Sequence, residues 1–196
     1  IPQPACLDDA RDNGGPGSII EQVVNSGAQV LLGGGNRFLG QTTIDGETVA
    51  AMAADRGYRI LGRDTDLESV PPDRPVLGTF DEETLEVRWR GTDARVGEET
   101  KTSWLHHLSD YLGDTEEPEP MSCEPNPDYE GTPSLASMTN LALRHLSQDN
   151  DRGFFLMIES ASIDKQSHKR NPCGSIGELE QLEESLALAL SFAGQH

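Results

Sequence analysis

Residues 154–177 read FFLMIESASIDKQSHKRNPCGSIG. The first five, Phe154-Phe155-Leu156-Met157-Ile158, are an unbroken apolar run. Such a run is the pattern of a parallel strand buried on both faces. Glu159, Asp164 and His168 follow it within ten positions, among small and polar residues. In open α/β sheets ligands collect outside the carboxyl ends of the strands. The stretch therefore predicts an α/β fold and places three metal-capable side chains where such a fold carries chemistry.

The flanking sequence agrees with that fold. Ser18-x-x-Glu21 is a capping box, and Ile19, Ile20, Val23 and Val24 give its helix an apolar face before Gly27. Val30-Leu31-Leu32 reads as a short buried strand. Gly33-Gly34-Gly35 comes next, with neither the Gly-Lys-Ser/Thr nor the spacing of a nucleotide loop, so a tight turn is expected. Thr48 to Arg56 is an Ala-rich helix closed by Gly57, and Tyr58 to Leu61 the next strand. Val76 to Phe80 and Leu85 to Arg90 read as strands around the turn Asp81-Glu82-Glu83, with Trp89 as a packing residue. Thr132-Pro133 reads as the start of a helix with Leu135, Met138, Leu141, Ala142 and Leu146 on its buried side. Ser175-x-x-Glu178 is a second capping box, opening a helix to about Ala193 with a stripe of Leu179, Leu182, Leu186 and Leu190. Alternating helices and strands imply a mostly parallel sheet in one domain over residues 1–196.

The chain carries 34 acidic against 15 basic residues, a formal net charge of -19. Nucleic acid and anionic membranes would meet a like-signed surface. Lysine occurs only at Lys101, Lys165 and Lys169. The balance suggests a salt-adapted protein, with an ordinary acidic protein as the alternative. No run reaches the roughly 18 apolar residues of a membrane-spanning helix, and no secretory leader is visible at Ile1. Residues 91–131 are the least regular, with Trp104, His106, His107 and Asp110 among many acids and prolines. This run reads as a solvated face rather than as a metal site. Cys6, Cys123 and Cys173 lack the C-x-x-C spacing of zinc or redox motifs. Either Cys123 and Cys173 form a bridge, or all three are thiols in a reducing compartment.

Asp164 and His168 are four apart, so a helical turn over residues 163–169 puts both on one face. A carboxylate oxygen and an imidazole nitrogen suit zinc. Glu159 suits a harder ion such as magnesium, and Lys165 could hold an anionic substrate directly or through water. The alternative is an exposed loop whose acids pair with Lys165, Lys169 and Arg170. Two ligands do not complete a zinc site, and no other histidine has an evidently suitable context.

The run Phe154 to His168, continued by Asn171-Pro172-Cys173-Gly174, closely resembles bacterial alkaline phosphatases. So do Ser18-Ile19-Ile20-Glu21-Gln22, Val30 to Gly35, Leu77-Gly78-Thr79-Phe80, Val87-Arg88-Trp89 and Thr132-Pro133-Ser134-Leu135. The resemblance implies a three-layer α/β/α fold in a periplasmic or secreted homodimer. It also implies phosphomonoester hydrolysis through a phosphoserine intermediate, with two zinc ions and one magnesium. By resemblance Glu159 is the magnesium ligand, Asp164 and His168 are zinc ligands, and Lys165 contacts phosphate through water. Cys123 and Cys173 match a family disulfide, and Cys6 half of another. The family's nucleophilic serine is expected upstream of these residues and its remaining metal ligands downstream, which makes the chain an internal segment, inactive by itself. Two other readings stand beside this one: a non-catalytic metal-binding domain, and a phosphodiesterase or sulfatase of the same superfamily.

The charge balance has a direct consequence. Self-repulsion among exposed acids is screened by salt, with a Debye length of about 3 Å at 1 M. The thermal midpoint of the protein is expected to rise as salt is taken to molar concentration; a midpoint indifferent to salt would contradict the salt-adapted reading.

Overall fold

The computed structural model describes residues 17–109, 111 and 113–195. Cys6, Asp110 and the pairing expected of Cys6 lie outside these residues. The chain divides into two compact units. The first takes in the described residues up to 86, residues 131–158 and those from 183 onward; the second takes in residues 87–130 and 159–182.

The first unit is built on a parallel sheet. Its strands are Val30–Gly33 (β1), Arg59–Leu61 (β2) and Val76–Thr79 (β3), in the order β1-β3-β2. Val30 pairs with Val76, and Arg59 pairs with Val76 from the other side. Successive side chains of a strand point to opposite faces, and the core divides accordingly. Leu31 and Leu77 pack with Val24, Val49, Met52, Ala53 and Tyr58. These come from the helices Ile19–Asn25 (α1) and Val49–Asp55 (α2) and the turn that follows α2. Val30, Leu32 and Val76 pack on the opposite face with Leu61, Phe80, Met138 and Leu141, the last two from the helix Leu135–Ser147 (α3). Helices thus cover both faces of the sheet, as α/β architecture requires.

Local signals explain most of these elements. Ser18 and Thr48 cap α1 and α2, accepting from the main-chain N–H groups of Glu21 and Ala51. The Glu21 carboxylate does not return to Ser18. It accepts from Gly17 N at 2.7 Å and from Ile44 N at 3.2 Å, and is buried in doing so. Glu21 thereby takes a place on the inner stripe of α1, and Ile19, expected on that stripe, is exposed. The glycine run is a tight turn. A Cβ on Gly34 would sit 2.5 Å from the Glu83 carbonyl oxygen. Gly35 has φ +99°, a region glycine enters without penalty. The main-chain N–H groups of Gly35 and Asn36 both donate to the Asp81 carbonyl.

Three expectations are corrected. Residues 76–90 are not a hairpin: both edges of β3 are taken by β1 and β2, which leaves no ladder for a returning strand. Only Trp89–Gly91 (β4) is extended there, and it pairs antiparallel with Cys123–Pro125 (β7) in the second unit. Between them lies a two-stranded pair, Lys101–Thr102 (β5) with Thr115–Glu116 (β6). α3 is capped by Ser134, whose hydroxyl accepts from Ser137 N at 3.1 Å; Thr132 instead accepts from Arg63 Nη2 at 3.3 Å. The last helix, Pro172–Ala193 (α5), begins three residues before the expected capping box. It turns Leu179, Leu186 and Leu190 outward and buries Glu178, Gln181 and Ser185. Polar groups can take the inner face only where hydrogen bonds satisfy them, and Glu178 and Gln181 bond to each other at 2.7 Å.

On α3, His145 is buried and its Nδ1 lies 3.1 Å from the Leu141 carbonyl oxygen. Its Nε2 is buried with no hydrogen-bond partner among the described residues. Burial holds this imidazole below the usual histidine range, and Arg144 and Arg59 push the same way against the Leu141 bond and Asp73. The folded chain therefore binds this proton less readily than the unfolded one. The stability contributed is present above the ordinary histidine value and lost as pH falls through it toward the depressed folded value. Thermal unfolding at about pH 7.5 and about pH 5.5 should show a loss on acidification that is smaller in His145→Leu.

Candidate functional site

The apolar run before Glu159 is not a strand. Residues 154–158 belong to no strand and have no ladder partner among the described residues. Phe155 and Met157 are 88% and 73% exposed, and the Phe154 ring meets that of Phe192 at 5.8 Å. Apolar composition makes a segment fit for a sheet interior, but a strand exists only where a second strand takes its N–H and C=O groups. The expectation of a buried strand fails on that second condition.

The helix predicted after it is present, as Ser162–His168 (α4). Its inner side is Gln166, which is buried. Asn171 Nδ2 donates to Gln166 Oε1 at 2.8 Å, and Asn171 N donates to the Gln166 carbonyl at 2.9 Å. Asn171 Oδ1 accepts from Gly174 N at 3.1 Å, the N-cap bond of α5, with Pro172 at the first helical position. A Cβ on Gly174 would come within 2.8 Å of Gln166 Cγ, so glycine is what lets α4 and α5 meet this closely. Arg170, at φ +54°, reverses the chain between them and pairs with Glu99. Cys173, in the first turn of α5, is joined to Cys123 of β7, with the Cα atoms 5.4 Å apart. The bridge closes a sequence separation of 50 residues.

With Gln166 held inward, Asp164, Lys165 and His168 face solvent. His168 Nε2 lies 3.6 Å from Asp164 Oδ1, with both side chains about four-fifths exposed. A carboxylate–imidazole contact that open to water adds little stability. The spacing suits shared coordination: two donors about 2.05 Å from a tetrahedral zinc stand about 3.3 Å apart. The donor set, one carboxylate and one imidazole on adjacent turns, fits zinc as part of a site. Glu159 is exposed, just before the turn into α4. Among the described residues no three His, Cys, Asp or Glu side chains gather around one ion-sized space, so the structure brings together Asp164 and His168 and leaves Glu159 outside that pair. The same holds for His106 and His107.

Glu178 reads from sequence as a capping residue and as an acid favoured at the positive end of its helix dipole. It is instead a carboxylate on the inner face of α5, 8% exposed. Oε1 accepts from Arg88 N at 3.3 Å and Gln181 Nε2 at 2.7 Å, and Oε2 lies 3.5 Å from Ser160 Oγ. Burial raises its pKa above the usual glutamate range, against those bonds and the nearby Arg88 charge. Trp89 packs as expected: a Cβ on Gly177 would lie 2.5 Å from its ring, and Trp89 Nε1 donates to Glu180 at 2.8 Å.

The family model for alkaline phosphatase matches residues 2–196. The chain belongs to the alkaline phosphatase family. It is 41% identical to an alkaline phosphatase of Escherichia fergusonii, over 96% of this chain and 38% of that protein. To an alkaline phosphatase of Escherichia coli it is 39% identical over the same shares. The chain thus spans about two-fifths of the length of these curated relatives. A Thermus thermophilus alkaline phosphatase structure superposes with a TM-score of 0.62 at 23% identity, covering 91% of this chain and 30% of that one. That likeness bears on the fold alone and agrees with the α/β alkaline-phosphatase architecture.

The Cys123–Cys173 bridge gives a stability test. Closing a loop of this length lowers the entropy of the unfolded chain, worth about 4 kcal/mol in the loop-closure account. Cys123→Ser with Cys173→Ser should lower the denaturant midpoint measurably under non-reducing conditions; an unchanged midpoint would mean the bridge does not constrain the unfolded state.

Proposed function

We propose that the protein carrying this chain is a metal-dependent phosphomonoesterase, and that this chain supplies part of its metal-binding face. Membership of the family supports the activity. The observation that carries the site is the Asp164–His168 pair, 3.6 Å apart on one face of α4 and near the separation of two zinc donors.

Asp164 Oδ1 and His168 Nε2 would hold zinc, and a Glu159 carboxylate oxygen would hold magnesium, which takes oxygen donors. When bound, such ions generate hydroxide near neutral pH and spread the charge of a transferring phosphoryl group. Lys165, beside Asp164 on α4, places an ammonium where it attracts the phosphate, directly or through water. The buried Gln166 fixes which way this face of α4 turns. The proposal takes the attacking serine of the phosphoserine pathway, the further zinc donors and the homodimer partner to lie outside these 196 residues, so the chain is an internal segment, inactive alone. The disulfide favours a periplasmic or secreted setting, since such bridges persist in oxidising compartments. Among the described residues no helix is long and apolar enough to cross a membrane. The phosphomonoester, not nucleic acid or membrane, is the proposed partner.

In the complete enzyme, a chelator such as EDTA should abolish hydrolysis of a simple aryl phosphate at alkaline pH. His168→Ala should lose bound zinc and activity together. Full zinc content in His168→Ala would overturn the ligand assignment.

A further inference from the structure

Glu178 joins three stretches of chain that are distant in sequence. Its Oε1 accepts from the main chain at Arg88, just before β4, and from Gln181 on its own helix. Gln181 Oε1 in turn accepts from Tyr129 Oη at 2.9 Å. On its other side is Ser160, whose Oγ donates to the Glu178 carbonyl oxygen at 3.0 Å and lies 3.5 Å from the Glu178 carboxylate. Ser160 directly follows Glu159, and its own carbonyl accepts from Ile163 N at 3.1 Å, closing the turn into α4. The residue between Glu159 and the Asp164–His168 helix is thus fastened by its side chain to α5 and by its main chain to α4.

We infer that Ser160 is a positioning residue for Glu159, its hydroxyl tying the Glu159–Ser160 turn to the Glu178 main-chain carbonyl on α5 so that the Glu159 carboxylate is already in place for a divalent cation. The inference rests on the proposed role of Glu159 toward magnesium. An exposed carboxylate on a free loop must be ordered when it binds, and ordering it beforehand strengthens binding without adding a contact to the ion. Gln181 supports the Glu178 carboxylate from the side away from Ser160.

The test uses the complete enzyme, with magnesium affinity read by equilibrium dialysis and zinc content by elemental analysis. Ser160→Ala should weaken magnesium about tenfold or more, the scale of losing a partner that orients a metal ligand, with zinc content unchanged. Ser160→Thr keeps a hydroxyl for the Glu178 carbonyl, so it should restore the affinity. Gln181→Ala loosens the network without touching Ser160 and should leave magnesium binding as it was. Wild-type magnesium affinity in Ser160→Ala, with affinity lost in Glu159→Gln, would overturn the positioning role while leaving the magnesium assignment standing. Equal losses in Gln181→Ala and Ser160→Ala would reduce Ser160 to a structural residue and overturn the role as well. Magnesium binding unaffected by Glu159→Gln would overturn the assignment beneath it, and the inference with it.

Discussion

The Asn171 carboxamide bonds in two directions, and the candidate site depends on both. Its Nδ2 holds the side chain of Gln166, the buried residue of α4, and its Oδ1 caps α5 at Gly174. A seven-residue helix has too few internal hydrogen bonds to persist by itself in water, so α4 needs such external ties. With Gln166 fixed inward, the helical period leaves Asp164 and His168 one turn apart on the outer face. The disulfide to Cys123 then secures the first turn of α5, and Gly174 permits the close approach. These constraints set where the main chain carries the two donors, since the donors' own contact is too exposed to do so.

The sheet of the first unit rests on a different principle. Its strands alternate their side chains into two separate cores, one against α1 and α2 and one against α3. Three strands of three or four residues suffice because β3, in the middle, is buried along its whole length. Glycine at position 78 is part of that packing: a Cβ there would lie 2.5 Å from the Phe80 ring and 2.7 Å from Leu32.

What the sequence revealed divides along the same line between local and tertiary causes. The cap at Ser18, the glycine turn and the Asp164–His168 face were legible because each depends on neighbours within a few residues, and β1 to β3 were legible from their short apolar runs. The start of α5 was misread because two cap signals compete within one turn. Asn171-Pro172 prevails over Ser175-x-x-Glu178, since the Asn171 oxygen reaches the N–H of Gly174 while Glu178 is drawn into another network. Residues 154–158 carry the composition of a strand, but strand pairing is a property of two segments. Glu178 could not be recognised, because its burial is set by Arg88 and Ser160, which lie 90 and 18 positions away.

Anomalous diffraction above the zinc absorption edge, on crystals of the complete enzyme, tests the central claim most directly. The account predicts a peak about 2 Å from both an Asp164 carboxylate oxygen and His168 Nε2. Zinc bound elsewhere in the crystal, with Asp164 and His168 left facing only water, would contradict it.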